Sequence, residues 1–370
     1  MSSTPVLLSN LGAEEGGDWR GLLGEPRVAA MAALWRDLFA VPPALAWLEE
    51  GEAAAWWNDE EAAGWARGEG RPLFGADPEI VARVHDKAFA LAIARQERAL
   101  PAPFGSTLVL EPAELADGDA ALAAIADVLS AAPPELDAFT LKPRLGCSGR
   151  GRVSLRRDGL EDPSLRGALA RLAKRGGAIL EPWVEREADF STQLCIQPDG
   201  SVLLLATLEQ ISTPAGLVRG HRGLVDSRGR VSSGSSYDEA LREAALSVAL
   251  AAAAEGYRGP CGVDAFSFGP PAQREPTLRP IVELNARFTA GLVAMGQVRR
   301  NLPRVRETLG LSPGDLRAWF FAAEAPPSGW PTSGGGLLYV PIPLADVDAE
   351  PGLVVARDLA SLEAWFEAIR

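Results

Sequence analysis

Hydrophobic positions alternate between two spacings along the first half of the chain. In residues 27–40 they recur every three or four positions, which predicts a helix after a strand in PVLLSN. From residue 86 to residue 183 the spacing switches repeatedly between helix and strand. The predicted order is a helix over 86–96, a strand in TLVLE, a helix over 114–131, strands in AFTLKP and RVSLRR, a helix in SLRGALARLAKR and a strand in AILEPWV. This order predicts a compact α+β lobe.

The second half of the chain begins with two strands. DFSTQLCI and SVLLLATLEQ are separated by Pro-Asp-Gly, which predicts an antiparallel hairpin. The polar segment 212–236 is interpreted as flexible, and residues 238–255 as an alanine-rich helix. CGVDAFSF and PIVELNARF predict two further strands. After Phe288 the pattern predicts helices, one more strand in LLYVPIP and a short C-terminal helix.

The composition narrows the class of protein. The 370 residues are 47% apolar, which is sufficient for a large core, and a net charge of −13 argues against nucleic-acid binding. No apolar run approaches the roughly 20 residues of a membrane span, and the N-terminus lacks the pattern of a signal peptide. Because Cys147, Cys195 and Cys261 form no CxxC pair, we expect a protein of the reducing cytoplasm without disulfides or zinc.

Lysine is scarce in this chain. Of the 36 basic residues, only Lys87, Lys142 and Lys174 are lysines. Where arginine is the habitual cation, a lysine can mark a position that needs a compact point charge. Lys87 and Lys142 lie within the motifs described below, whereas Lys174 ends a predicted helix and is interpreted as a solvated terminus.

A glycine-rich loop, Arg144-Leu-Gly-Cys-Ser-Gly-Arg-Gly151, separates two predicted strands. Glycines allow backbone N–H groups to approach anionic oxygens, and Lys142 precedes the loop, so the segment could hold a polyphosphate. The alternative is an ordinary glycine-rich hairpin turn. The loop does not have the GxxxxGK[ST] pattern of a P-loop.

Two carboxylates and one amide predict a metal site. Glu283 and Asn285 lie two residues apart on one predicted strand, so they share a face, and Asp264 can join them if its strand pairs antiparallel. Such hard oxygen ligands suit Mg²⁺ that bridges phosphates. The alternative interpretation is a salt bridge between these carboxylates and Arg287, which lies on the same face.

A third cluster could bind a substrate. Arg219, His221 and Arg222 lie between glycines, after the hairpin and before the metal strands. An anionic group such as a substrate carboxylate could dock there. The alternative is an exposed turn with solvated arginines.

The order of these motifs resembles that of the ATP-grasp superfamily over roughly residues 86–300. The motifs are Lys87, Lys142 with the glycine loop, Glu181-Pro-Trp-Val184, Asp264 and Glu283-Leu-Asn-Ala-Arg287. The resemblance implies α/β and α+β architecture, with two α+β lobes that sandwich ATP. It implies a small α/β N-terminal domain over 1–85, a lid lobe with a glycine flap over 86–183, a core lobe with the metal site over 184–300 and a helical and strand extension over 301–370.

The resemblance also implies roles for individual residues. Lys87 and Lys142 would contact the nucleotide phosphates, and Asp189 the ribose hydroxyls, with Glu185 and Glu187 as alternatives. The remaining implied contacts are Gly146, Ser148, Gly149 and Gly151 in the flap, Glu181, Trp183 and Val184 in the hinge that reads adenine, Asp264, Glu283 and Asn285 as ligands of Mg²⁺ or Mn²⁺, and Arg287 near the transferred phosphate.

The reaction implied by the resemblance is an ATP-dependent ligation. A small-molecule carboxylate is activated as an acyl phosphate and joined to an amine, with Lys142 and Arg287 as catalytic residues. Two alternatives stay open, an ATP-grasp kinase and a non-catalytic nucleotide-binding protein of the same fold. We expect no membrane partner, and a homodimer is compatible with the sequence.

Overall fold

The computed structural model describes residues 5–16, 18–40, 51–146, 150–213, 218–269, 276–326, 328–345 and 347–369. The helices are α1 Trp19–Leu22, α2 Pro26–Ala40, α3 Glu60–Gly68, α4 Pro78–His85, α5 Lys87–Gln96, α6 Pro112–Ala116, α7 Gly118–Ala131, α8 Pro163–Lys174, α9 Asp238–Ala254, α10 Ala290–Leu309 and α11 Leu359–Ile369. The strands are β1 Val6–Leu8, β2 Ala53–Ala55, β3 Leu108–Leu110, β4 Ala138–Pro143, β5 Val153–Arg156, β6 Ala178–Pro182, β7 Arg186–Ile196, β8 Val202–Ser212, β9 Val218–Asp226, β10 Val231–Ser232, β11 Gly259–Phe268, β12 Thr277–Asn285, β13 Leu316–Ala322, β14 Leu337–Pro341 and β15 Gly352–Ala356.

The N-terminal unit packs directly on the rest of the molecule. Its strands β1 and β2 pair in parallel, and its helix α2 packs against α10. Gly296 of α10 allows this close approach, because a Cβ there would lie 2.7 Å from a methyl carbon of Leu38. Trp35 makes edge-on contacts with Trp56 and Phe288, so aromatic packing joins the unit to the end of β12.

The lid lobe is a four-stranded antiparallel sheet in the order β3-β6-β4-β5 with its own hydrophobic core. The helix predicted for 114–131 is interrupted, so that α6 ends at Ala116 and α7 begins at Gly118. Asp117 lies between them and accepts hydrogen bonds from the N–H groups of Asp119 and Ala120, which caps α7. Because the lobe has a separate core, its sheet can be positioned as one unit over the larger sheet.

The core lobe is built on nine strands in the order β12-β11-β7-β8-β10-β9-β13-β15-β14, and β8 also pairs with β9. The predicted hairpin of β7 and β8 is confirmed. The antiparallel pairing of the two predicted metal strands is also confirmed, with Asp264 directly opposite Glu283. These two pairings bring the polar positions of four strands onto one face of the sheet.

Two expectations about the second half of the chain are wrong. The segment 212–236, interpreted as flexible, contains the nine-residue strand β9, whose charged Arg222 is neutralised by Glu209 on the neighbouring strand. After residue 300 there are three strands rather than one, and β13, β15 and β14 extend the large sheet. The boundary predicted at residue 300 falls inside α10. All the domain boundaries stay predictions.

Candidate functional site

The polar face of the large sheet is the floor of a cavity of about 690 Å³. Residues directly opposite each other in antiparallel strands project to the same face. One row crosses the sheet through Asp189, Gln210, His221 and Phe321 on β7, β8, β9 and β13. A second row crosses β12, β11 and β7 through Glu283, Asp264 and Ser191. All seven side chains line the cavity.

The candidate metal ligands are adjacent. Asp264 accepts hydrogen bonds from the Ser191 hydroxyl at 2.7 Å and from Asn285 Nδ2 at 2.9 Å. Asn285 Oδ1 accepts from Arg287 Nη2 at 3.2 Å, and its second lone pair leaves room for a cation. Among the described residues, no group of three His, Cys, Asp or Glu side chains is arranged to hold a metal, so a cation bound here would need the Asn285 amide oxygen as its third donor.

The two carboxylates of this cluster differ in protonation. Burial and the charge of Glu283 raise the pKa of Asp264 to about 7. Burial acts in the same direction on Glu283, but the charges of Lys87 and Lys142 outweigh it and lower the pKa of Glu283. Two buried carboxylates side by side are therefore not fully ionised without an added cation.

Lys87 joins the metal cluster to the glycine loop. Its Nζ lies 3.2 Å from Glu283 Oε2 and donates a hydrogen bond to the Gly146 carbonyl at 2.8 Å. Asp86, one residue earlier, caps α5 and pairs with Arg144 at 2.6 Å, which holds the start of the loop beside the helix. The predicted first lysine therefore lies in the cavity.

Lys142 is buried in an ion-pair cluster beneath the lid. It pairs with Glu181, whose other oxygen lies 2.8 Å from Arg279 Nη1. Burial lowers the pKa of Lys142 despite that partner. Burial opposes ionisation of Glu181 as well, but Arg279 and Lys142 outweigh it and lower its pKa to about 2. The Glu181 side chain is therefore held in this ion-pair cluster and does not line the cavity, whereas Lys142 does.

The side of the cavity predicted for the nucleoside is aromatic and cationic. The guanidinium of Arg152 lies 4.1 Å from the ring centre of Trp183, and Arg186 pairs with Asp189 at 2.7 Å. Val184 is not in the lining and packs with Phe104, Phe266 and Phe268 instead. Of the loop, Gly146 lines the cavity and Gly151 does not, while Ser148 and Gly149 lie outside the described residues.

Arg287 projects into the cavity beside the metal cluster. Its Nε lies 3.0 Å from the buried Glu14 Oε1, and its Nη1 donates to the Phe288 carbonyl at 2.9 Å. The sequence offers no signal for Glu14, because the residue lies in a short 3₁₀ turn of the N-terminal unit. A carboxylate from that unit therefore orients the arginine of the core lobe.

The candidate substrate cluster divides between two faces of β9. Arg219 and His221 line the cavity. Arg222 does not, because it points to the other face and makes two hydrogen bonds of 2.8 Å to Glu209. The prediction for Arg222 is wrong, since period-2 alternation separates it from His221. Further lining residues that sequence reasoning missed are Arg27, Ser191, Gln210, Arg152 and Arg186.

No protein-family model matches the chain, and no curated protein matches its sequence. Solved structures do. The chain is similar to the biotin carboxylase domain of the Hydrogenobacter thermophilus 2-oxoglutarate carboxylase, with 14% identity and a TM-score of 0.55 over 96% of this chain and 86% of that chain. The chain is also similar to the biotin carboxylase of Campylobacter jejuni, with 13% identity and a TM-score of 0.52 over 93% of this chain and 77% of that chain.

A third similar structure is the N5-carboxyaminoimidazole ribonucleotide synthetase of Thermus thermophilus, with 18% identity and a TM-score of 0.50 over 85% of this chain and 79% of that chain. None of the helices in the described ranges is long and apolar enough to cross a membrane. At these identities the likeness concerns the fold. The two α+β lobes around one cavity, and the neighbours that share them, show that the chain has the ATP-grasp fold.

Proposed function

We propose that this chain is an ATP-dependent ligase that activates a carboxylate as an acyl phosphate and joins it to an amine. The observation that supports this proposal is one cavity that collects Lys87, Lys142, Arg287 and the paired carboxylates Asp264 and Glu283. Phosphoryl transfer between anionic reactants depends on cations positioned around the transferred group. A cavity that only bound a nucleoside would need no such set.

In this proposal Lys87, Lys142 and the backbone at Gly146 bind the phosphates of ATP, and the nucleoside lies near Trp183 and Asp189. Mg²⁺, or Mn²⁺, fits the hard oxygen donors of Asp264, Glu283 and Asn285 and supplies charge neutralisation between the phosphates. The similar Hydrogenobacter domain was solved with MgADP, ADP and bicarbonate, and the Campylobacter biotin carboxylase as a beta-gamma-ATP complex. These neighbours support the assignment of the nucleotide.

The reaction proceeds in two displacements. A carboxylate oxygen of the acid attacks the γ-phosphorus, the bond from the γ-phosphorus to the β,γ-bridging oxygen breaks, and ADP leaves with the electron pair. The amine then attacks the acyl carbon and loses a proton, and inorganic phosphate leaves. Arg287, held by Glu14, orients the acid, while Lys142 stabilises the charge on the transferred group.

These steps need no side-chain nucleophile, and neither cysteine among the described residues is suited to be one. Cys195 and Cys261 are buried, and burial raises the pKa of Cys195 to about 12 and that of Cys261 further still. Both thiols are therefore protonated and packed in the core at neutral pH. The glycine loop would exclude water from the acyl phosphate when it closes on the nucleotide.

Paired assays separate this proposal from its alternatives. Acids and amines, including amino acids and dipeptides, are screened for ATP-dependent phosphate release, and the products are identified by mass spectrometry. A ligase releases phosphate only when both substrates are present and yields an amide. A kinase forms ADP with a stable phosphorylated product. A non-catalytic protein binds ATP without turnover, and that result would contradict the proposal.

A further inference from the structure

The end of the cavity between β9 and the start of α2, called the far end below, contains polar groups without partners among the described residues. His221 on β9 is only 3% exposed, its ring lines the cavity, and its nitrogens make no hydrogen bond to any described residue. Arg27, at the start of α2, also lines the cavity and forms neither a hydrogen bond nor an ion pair within the described ranges. Buried polar groups ordinarily have partners, so the buried ring of His221, beside the half-buried Arg27, is available to a ligand in the cavity.

The charges around this end favour an anion. Arg219 lies two residues before His221 on the same strand, and its nearest carboxylate, Glu324, is 3.8 Å away. Burial and the charges of Arg219 and Arg150 lower the pKa of Arg27, although Glu324 acts in the opposite direction. Cations that destabilise one another in a partly buried cavity are stabilised by an anionic ligand, and arginine binds a carboxylate through two parallel hydrogen bonds.

His221 would act as a neutral hydrogen-bond donor. Burial and the charge of Arg27 lower the pKa of His221 to about 4, so the ring is uncharged at neutral pH. A neutral imidazole still carries one N–H, which can donate to a carboxylate oxygen. Arg27 and His221 line the same cavity, although they come from different units of the molecule.

This anion site is separate from the phosphate site. His221 lies on β9, and Asp264 lies on β11, with β7 and β8 between them. Three strand spacings of about 4.8 Å place strands β9 and β11 about 14 Å apart across the sheet. Apolar side chains of Val28, Met31 and Phe321 line the cavity at this end. The transferred phosphate and the anion bound by Arg27 are therefore two different groups.

We propose that Arg27, Arg219 and His221 bind a substrate carboxylate that is not activated during the reaction. This proposal rests on the ligase function above and specifies its substrate class. The unreacted carboxylate has two sources: the far end of a dicarboxylic acid whose other end is phosphorylated, or the carboxylate of an amino acid whose amine is the nucleophile. In both cases the apolar part of the substrate lies against Val28 and Met31.

Binding of matched probes tests the site without turnover. The full-length protein is mixed with Mg²⁺ and a non-hydrolysable ATP analogue, and its thermal midpoint is measured with two series of probes. One series contains dicarboxylates of four to eight carbons and their monoamides, and the other contains amino acids and their α-amides. We expect at least one carboxylate to raise the midpoint and its amide counterpart to have no effect.

Variants locate the effect at the proposed residues. Arg27→Gln should weaken binding of that carboxylate about tenfold or more, because a charge-assisted hydrogen bond is lost. His221→Phe should also weaken binding, whereas His221→Asn, which keeps a donor, should retain part of it. Arg242→Gln, an exposed position on α9, is the matched control and should leave binding unchanged. Unliganded midpoints establish that each variant is folded.

The outcomes separate this inference from the ligase proposal. If the nucleotide analogue stabilises the protein but no carboxylate exceeds its amide, or if Arg27→Gln binds the carboxylate as wild type does, the anion site is refuted while the ligase proposal stands. If the nucleotide analogue itself has no effect, the ligase proposal fails first. A response confined to the dicarboxylates shows that the bound carboxylate belongs to the acid substrate. A response confined to the amino acids shows that it belongs to the amine substrate.

Discussion

The two ends of the cavity differ in how their charges are paired. At the end predicted to bind phosphates and metal, four cations have an acidic partner in the protein, whereas Arg152 stacks on Trp183. The pairs are Lys87–Glu283, Lys142–Glu181, Arg186–Asp189 and Arg287–Glu14. At the far end, Arg27 and His221 have no such partner among the described residues. The first end holds its cations in place before the nucleotide arrives, whereas the second depends on the substrate to complete it.

This difference follows from the depth of the two ends. Glu181 and Arg279 are almost fully buried and Lys142 is mostly buried, and an unpaired charge at that depth would be strongly destabilising. Arg219 is more than half exposed, so water can solvate it until a ligand binds. We therefore expect substitutions at the phosphate end to affect rate, and substitutions at the far end to affect substrate choice.

The largest effect is expected for Glu283→Gln. The change removes a carboxylate from the metal cluster and the partner of Lys87, so turnover should fall about a thousandfold or more. The amide is nearly isosteric, so the fold should be kept. Phosphate release at saturating Mg²⁺ and the thermal midpoint are measured together.

Glu255→Gln, which removes an exposed carboxylate paired with Arg83, is the control and should have no effect. Near-normal turnover of a folded Glu283→Gln protein would exclude Glu283 from the site.

The next effect is expected for Lys142→Arg. The charge is kept, but a planar guanidinium is larger and cannot reproduce the point contact of an ammonium in this buried cluster. Turnover should fall about a hundredfold, the loss typical of a misplaced transition-state contact. Lys174→Arg, at the exposed end of α8, is the matched control. Equal behaviour of the two variants would show that the scarcity of lysine carries no functional information.

The phosphate end could be predicted from the sequence because its residues lie on adjacent strands with simple periodicity. Glu283 and Asn285 share a face by alternation, and the pairing of β11 with β12 brings Asp264 opposite Glu283. The same alternation explains why Arg222 does not share the face of His221. Proximity in the chain groups Arg222 with His221, but adjacent residues on a strand project to opposite faces of the sheet.

Only Arg219 and His221 of the far end could be predicted from the sequence, because the rest of that end is assembled from distant segments. Arg27 comes from α2, and Phe321 from a strand that was not predicted. Their proximity depends on the packing of α2 against α10 and on the extension of the sheet by β13, β15 and β14. Both are tertiary arrangements without a local sequence signal. The same limit applies to Glu14, whose role becomes visible only beside Arg287.

A smaller effect is expected for Glu14→Gln. The buried carboxylate holds Arg287 at 3.0 Å, and an amide would hold it less firmly, so kcat should fall about tenfold through misorientation of the acid. Because Glu14 acts through Arg287, Glu14→Asp should restore part of the rate. The Mg²⁺ concentration for half-maximal activity should stay unchanged in both variants, since neither alters the metal cluster. A change in Mg²⁺ dependence would instead place Glu14 in the metal site.

The smallest effect is expected at the edge of the glycine loop, for Gly151→Val. Gly151 has φ +75°, which a β-branched residue rarely adopts, and a Cβ there would collide with the guanidinium of Arg175. The loop should then close less completely over the phosphates, so that water reaches the acyl phosphate. Ligation should slow several-fold while the fraction of ATP hydrolysed without product rises.

Gly176→Val is the matched control, because Gly176 also has positive φ, +85°, but has open space around it. ADP and ligated product are measured in the same samples. If both variants keep the wild-type ratio of product to ADP, the loop is only a turn, and protection of the acyl phosphate must come from the closure of the lid lobe as a whole.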